Sequence, residues 1–445
     1  MRIGLIAMSG VRVRNAELAA LGVTLPQFVS RGKVIASLPS LGLLTVAALT
    51  PDDCDVVYRE LGEVRCDAPL EPFDLVGISS FTAQIDEAYA LADRYRAAGV
   101  PVVLGGLHVS LMPDEAAAHA DSIVLYGAEG AWPQLVADFQ AGRLRPRYEG
   151  LRAGVFDSPH YAVPRFDLLA GREYNRVTVQ TSRGCPLACE FCAASLRITS
   201  SYQQKPVEKV IAEIRAALAV RPAPFFELAD DNTFVNRKWG REFLRAVTPL
   251  GIRWFTETDI SIADDDALLD LLADSGCRQV LIGFESPDAH GLDGLDPRNW
   301  KKQRSARYLE SIDRIQSRGI TVNGCFIVGL DNHTPAVFEM VRDFVRQSGL
   351  LEVQVTVQTP FPNTPLYHRL RREGRLPEGR YWDRCTLFDV TYQPKRMSVE
   401  ELESGLRWLF GELYNEREFL RRKRQYMEIV KARMQPGAPA VTKTW

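Results

Sequence analysis

A chain of 445 residues is longer than a single core supports, so two or three domains are expected. Its 46% hydrophobic and 25% charged residues are ordinary for a folded protein, and a net charge of −2 offers a polyanion nothing to bind, which sets nucleic-acid binding aside. Eight unevenly spaced cysteines are too sparse for a disulfide scaffold; the start "MRIGLIAMSG" lacks a signal peptide's long apolar region, and the longest apolar stretch, residues 34–49, is broken by Pro39 and Gly42 and too short to span a bilayer, so the expectation is a cytoplasmic protein with reduced thiols and no transmembrane segment.

In chain order, continuous β-branched runs predict five strands in the first 140 residues: 2–8, 55–58, 74–80, 101–106 and 122–127. Ile85, Ala88, Ala92 and Tyr95 fall at helical spacing between the third and fourth, and Gly99 follows where a helix stop belongs. Strand and helix alternate, which predicts a doubly wound parallel sheet over residues 1–140. Such a sheet binds ligands at the carboxyl ends of its strands, and those ends are small here: Ser79 and Ser80, Gly105 and Gly106, Gly127 and Gly130. The same residues are also common turn formers.

Residues 141–175 have little periodicity, several prolines and many arginines, and read as a linker. A second alternation follows over 176–380, with candidate strands at 176–182, 225–229, 253–258, 279–285, 321–329 and 352–358. Six such units predict a partial parallel barrel whose site lies at the carboxyl ends of its strands. Residues 381–445 change to a helical subdomain, opened by the capping-box pair Ser398 and Glu401 and carried by the apolar face Leu402, Leu406, Leu409, Phe410 and Leu413. Arg421, Arg422, Lys423 and Arg424 read as a solvated helix face. Tyr381, Trp382 and Phe388 can pin these helices to the barrel or wall an apolar pocket.

Directly after the first barrel strand comes "TSRGCPLACEFCAAS", with Cys185, Cys189 and Cys192 within eight positions. Structural zinc asks for four ligands, commonly in two separated pairs, and there is no second pair. Ferredoxin-type clusters likewise use four thiolates. Three thiolates in one short loop can hold three irons of a 4Fe-4S cluster and leave the fourth iron for a ligand that is not protein.

The pattern C-x-x-x-C-x-x-C resembles the radical S-adenosylmethionine (SAM) enzymes. The resemblance implies that Cys185, Cys189 and Cys192 hold a 4Fe-4S cluster, that its open iron chelates SAM, and that an electron from the reduced cluster cleaves SAM to a 5′-deoxyadenosyl radical that abstracts hydrogen from an unactivated carbon. Phe191 matches the aromatic position before the third cysteine, "ELADDNTF" (227–234) the second-strand segment, "IGFES" (282–286) the segment placing Glu285 and Ser286 against the cosubstrate, and "FIVGL" (326–330), with Ile327 and Gly329, the segment near adenine. A carboxylate ending an apolar strand, as Glu285 does, needs a cation or hydroxyl donors; a neighbouring Arg or Lys would serve as well as the cosubstrate. Asp230, Asp231 and Asn232 can line the same mouth or cap the next helix.

Within that superfamily the first domain, the "VPRFDLL" linker, and the stretches "LPSLGLLTVAALTP", "VGISSFTAQ" and "GGLHVSLMPDEA" resemble the cobalamin-binding subgroup, as do "PFPNTPLYHRLRREGRL" and "YQPKRMSVEEL" near the C-terminus. Cobalamin would then lie on Ser79, Ser80, Gly105, Gly106 and Gly127. The D-x-H-x-x-G motif that ligates cobalt in some cobalamin proteins is missing from the first domain: Asp288 and His290 lie in the barrel with Asp293 in the glycine's place, and His108 reads as a loop histidine, so cobalt is expected without a histidine ligand. Cys54 and Cys66 are one short of the second cysteine trio of a methylthiotransferase, and Cys277, Cys325 and Cys385 are scattered, with burial the default for each. The resemblance implies a cobalamin-dependent radical methyltransferase acting on a small-molecule or lipid-like substrate, with an external flavodoxin- or ferredoxin-type electron donor. A radical cyclisation, rearrangement or oxidation, with cobalamin non-methylating or absent, and a non-catalytic zinc or cluster protein are the other readings. The residues name no individual catalytic group and no particular substrate.

Overall fold

The computed structural model describes residues 1–10, 13–20, 38–65 and 67–433. Among the described residues fourteen strands appear: β1 Arg2–Met8, β2 Asp55–Leu61, β3 Leu75–Ser79, β4 Val102–Gly105, β5 Ser122–Leu125, β6 Arg147–Glu149, β7 Val177–Val179, β8 Ser182–Arg183, β9 Gln203–Gln204, β10 Phe225–Leu228, β11 Arg253–Thr258, β12 Cys277–Glu285, β13 Thr321–Val328 and β14 Glu352–Val357. β1 to β6 form one six-stranded sheet in the order β2-β1-β3-β4-β5-β6, parallel throughout. The chain runs outward from β1 to β2 and then crosses to β3, so the order reverses between β1 and β3. At such a reversal the strand ends part and leave a crevice.

Alternate residues of these strands face opposite layers. Leu5, Val103 and Val124 pack with Leu43 and Trp132 on one face, while Ile6, Val76, Leu104 and Ile123 pack with Ile85, Ala88 and Tyr89 on the other. This two-sided burial is why each strand reads as an unbroken apolar run. One element lies where only a linker is predicted. β6 falls within residues 141–175 and pairs in parallel with β5. It is a three-residue edge strand that buries Tyr148 and exposes Arg147 and Glu149, so no apolar run announces it.

β7 and β10 to β14 form the second sheet, in the order β14-β13-β12-β11-β10-β7, again parallel. Its outer residues, among them Phe226, Leu228, Trp254, Val280, Ile282, Val353 and Val355, lie against the surrounding helices. The inner face is polar by contrast: Thr178, Glu227, Glu257, Gln279 and Asn323 alternate with those apolar positions. The core is continuous from Ile3 and Leu5 of the first sheet, through Phe166 and Leu169 of the connecting segment, to the helices around the second.

The C-terminal part is helical, with Val399–Leu413 and Glu416–Arg433. The first of these starts on the capping box: the Ser398 amide donates to Glu401 at 2.7 Å, and the Glu401 amide donates to Ser398 Oγ at 3.1 Å. Phe388 meets Phe410 of this helix edge to face. Tyr381 and Trp382 do not pin the helices to the barrel. They are buried against the helix-covered face of the first sheet, where Trp382 Nε1 donates to Glu115 at 3.0 Å. The basic run also departs from a uniformly solvated face, because Arg422 is buried and donates to the carbonyls of Leu413 and Leu351.

Candidate active site

The cysteine loop springs from the carboxyl end of β7. β8 and β9 pair antiparallel and close its base. Gly184, at φ +89, starts it, and Ala188 turns it again at φ +51. Arg197 lies across the loop, donating to the carbonyls of Cys192 at 2.7 Å and Cys189 at 3.1 Å. Glu190 anchors the outside through paired contacts to Arg369, of 2.6 and 3.0 Å, and through its amide and carbonyl to Leu295 and Leu366. The loop is thus held by a near neighbour, Arg197, and on its outer side by the distant Leu295, Leu366 and Arg369.

Cys185, Cys189, Phe191 and Cys192 wall a cavity of about 210 Å³, with Asp231, Asn232, Glu257, Glu285, Lys301 and Cys325 among the residues opposite. Burial pushes the Cys189 and Cys192 thiols up to about 12, with Lys301 pulling Cys189 the other way. Among the described residues, no three ligating side chains converge on a point suited to one lone ion. Cys185, Cys189 and Cys192 thus all reach one cavity from one short loop. Sequence reasoning missed Glu257 and Lys301. Glu257 is visible only as a polar residue interrupting a strand, and Lys301 belongs to the short helix Trp300–Arg304, reached by a long loop.

The carboxylate of Glu285 takes the neighbouring-lysine option: Lys301 Nζ lies 2.9 Å away, with both side chains nearly enclosed. Burial works against the charge on Lys301, but Glu285 more than restores it and raises its pKa. Ser286 is fully buried and, with Ile327 and Gly329, lies outside the cavity wall. The triplet after β10 divides its work. Asp230 is a buried staple accepting from the amides of Thr181 and Ser182 and the hydroxyls of Thr181 and Thr233. Asp231 and Asn232 line the cavity, and the cap of the following helix is Asn236 instead.

A second cavity, of about 310 Å³, opens between the carboxyl edge of the first sheet and the barrel mouth. Ser79, Gly105, Gly106 and Gly127 line it; Ser80 does not, its hydroxyl donating to the Phe81 carbonyl. Gly127 has no space for a side chain, since a Cβ there would stand 2.7 Å from Glu129 Oε2 and 3.0 Å from the Leu151 carbonyl. Leu43, Val46 and Trp132 supply an apolar wall. Two internal ion pairs border it, Arg183 with Glu129 at 2.8 Å and Lys205 with Glu213 at 2.6 Å. Tyr161, from the connecting segment, donates to Glu213 at 2.7 Å. The charges cancel within the protein, so the space suits a large, largely neutral group with an apolar limb. No histidine lines it among the described residues; His108 is buried elsewhere, between Thr82 and Glu115.

Cys325 departs from simple burial by lining the cysteine-loop cavity, whereas Cys277 and Cys385 are buried and Cys54 is half-buried. Cys66 lies outside the described residues.

Family models match three stretches of the chain: the Radical SAM superfamily over 179–345, a B12 binding domain over 31–136, and a domain of unknown function over 364–443. Bacteriochlorophyllide d C-12(1)-methyltransferase of Chlorobaculum tepidum is 27% identical over 386 residues, covering 85% of this chain and 83% of that protein. Hopanoid C-2 methylase of Rhodopseudomonas palustris is 29% identical over 360 residues, covering 77% and 66%. Among solved structures, the radical SAM methyltransferase TsrM of Kitasatospora setae, with cobalamin and a [4Fe-4S] cluster bound, superposes with a TM-score of 0.64 at 16% identity, over 93% of this chain and 88% of that one. That last likeness is one of fold.

Proposed function

The chain belongs to the cobalamin-binding radical S-adenosylmethionine enzymes, and from that premise we propose that it is a C-methyltransferase acting on an unactivated carbon of a small-molecule or lipid-like substrate. The observation that carries the reading is the pairing of two cavities at facing strand ends: one ringed by three thiols, the other glycine-floored and apolar-walled. The thiols fit a cluster with one free iron, and the glycine floor and apolar wall fit a flat corrin and the aromatic base that ends its nucleotide tail. When bound, the cluster supplies the electron that opens SAM, and cobalamin supplies the methyl group.

The chain's own residues would position these groups. Cys185, Cys189 and Cys192 would each hold one iron, with Arg197 keeping the loop carbonyls turned away from it. Glu285 would face the cosubstrate, its charge steadied by Lys301. Ser79, Gly105, Gly106 and Gly127 would let the corrin approach the backbone, while Leu43, Val46 and Trp132 keep water from it. The described cysteines are all free, and no helix among the described residues is long and apolar enough to cross a membrane. Both fit work in the reducing cytoplasm, with electrons drawn from a flavodoxin- or ferredoxin-type donor.

The test is anaerobic reconstitution with iron, sulfide and hydroxocobalamin, followed by desalting and metal counting. Four irons with sulfide and about one cobalt per chain are expected, then 5′-deoxyadenosine and S-adenosylhomocysteine on adding SAM, reductant and candidate substrates. Iron without retained cobalt would transfer the reading to a radical cyclisation, rearrangement or oxidation. Zinc without sulfide would overturn the enzyme reading altogether.

A further inference from the structure

Glu285 ends β12 in a conformation that a residue with a Cβ adopts only when held there. Its φ is +63, in the left-handed region. The pairing of β12 with β13 shifts register between Gly283 and Glu285, and the Ser286 amide turns back onto the Phe284 carbonyl at 2.8 Å. Glu285 shares its face of β12 with Leu281 and Gly283, so its carboxylate lines the cysteine-loop cavity, and the bulge sets the backbone that carries it. On the cavity side Lys301 holds the carboxylate, and its Nζ also donates to the Gly283 carbonyl at 2.5 Å. Lys301 is itself fixed by Asp296, which accepts from the amides of Trp300 and Lys301.

The backbone side is held from a different strand. Ser286 is fully buried, and its Oγ accepts from the Asp288 amide at 3.1 Å and lies 3.1 Å from His333 Nε2. His333, in the turn after β13, takes the Leu330 amide on Nδ1 at 3.3 Å, which assigns the ring proton to Nε2 and makes the histidine a donor to Ser286. Burial holds the imidazole down to about 4, so it stays neutral through the ordinary pH range. The space is closed as well: a Cβ on Gly291 would lie 2.5 Å from His333 Nε2 and 2.7 Å from Ser286 Oγ.

We propose that His333 is a positioning residue, which through Ser286 locks the left-handed turn at Glu285 and so aims its carboxylate at the cosubstrate. The proposal rests on the reading that Glu285 meets SAM. It joins the segments "IGFES" and "FIVGLDNH" into one device, with Ser286 serving Glu285 and not the ligand.

The experiment measures SAM affinity by equilibrium dialysis with radiolabelled SAM, on protein carrying its cluster and cobalamin, for the wild type and Glu285→Gln, His333→Phe, His333→Gln and Ser286→Ala. Iron content and melting temperature are recorded for each. His333→Phe and Ser286→Ala are expected to weaken binding about tenfold, the scale of one buried hydrogen bond left unmade, with iron content unchanged. His333→Gln, which can still offer an N–H to Ser286, should stay within about threefold of wild type. Release of 5′-deoxyadenosine under dithionite should show the loss in KM for SAM, with kcat at saturating SAM largely kept. Wild-type affinity in His333→Phe beside weakened binding in Glu285→Gln overturns the proposal and spares the reading beneath it. Wild-type affinity in Glu285→Gln overturns both. If His333→Phe loses its cluster or melts early, Ser286→Ala decides, and wild-type affinity there overturns the lock.

Discussion

Glu257 projects into the cysteine-loop cavity beside Cys325. Burial first, and then the carboxylates of Glu227, Asp231 and Asp230, push it up to about 8. A carboxyl whose folded pKa lies above its unfolded value holds its proton more tightly when folded, so its contribution to stability is complete below the unfolded pKa and is lost as pH rises through the folded one. Cluster-free protein should therefore lose stability between about pH 5 and 8, with a slope no steeper than about 1.4 kcal/mol per pH unit from this group. Urea midpoints across that range check it, and a Glu257→Gln variant should give a flatter profile. An unchanged profile in the variant would show that other groups set the slope. The thiols allow a second residue-scale prediction. Replacing Cys185, Cys189 or Cys192 by Ser should abolish iron retention, while Cys325→Ser, on the same wall, should keep it, as iron counting after reconstitution will show.

At the scale of elements, close helix contact is bounded by glycine. Gly405 lies where the helix Val399–Leu413 meets the helix Val337–Ser348, and a Cβ there would stand 1.9 Å from the Phe338 ring. Gly405→Ala should force the pair apart and cost about 1–3 kcal/mol, read as a lower urea midpoint. The capping box at the start of Val399–Leu413 predicts a smaller loss, about 1 kcal/mol for Ser398→Ala. The two substitutions differ in kind, since one removes a hydrogen bond and the other adds an atom with nowhere to go.

Across the whole molecule, the C-terminal segment reaches back to the first sheet. Trp382 is buried there on Tyr89's side of the sheet and donates to Glu115, which Arg380 also approaches. Trp382→Ala should cost about 3–5 kcal/mol and make the 375–390 region sensitive to limited proteolysis, while iron loading at the distant cysteine loop is preserved. Loss of iron together with the proteolytic change would mean that this clasp also shapes the cluster cavity.

The first sheet was readable because strands buried under two apolar layers are apolar at almost every position, and the second because its strands alternate apolar outer residues with polar inner ones. The cysteine trio was equally plain, since three thiols within eight positions can meet without help from the rest of the fold. Edge strand β6, with one buried residue, left no such mark. Nor did the partners of those thiols and of Glu285: Arg197 acts through backbone carbonyls, Lys301 arrives on a loop, and His333 reaches Ser286 from 47 positions away. The sequence by itself determined the two-sheet architecture, the order of its parts and the three-cysteine loop, because these rest on local patterns of burial and spacing. Only the tertiary structure decided that Ser286 is covered by His333, that Glu285 is paired, and that each sheet opens a cavity at its strand ends, because each depends on groups brought together by the fold and not by the chain.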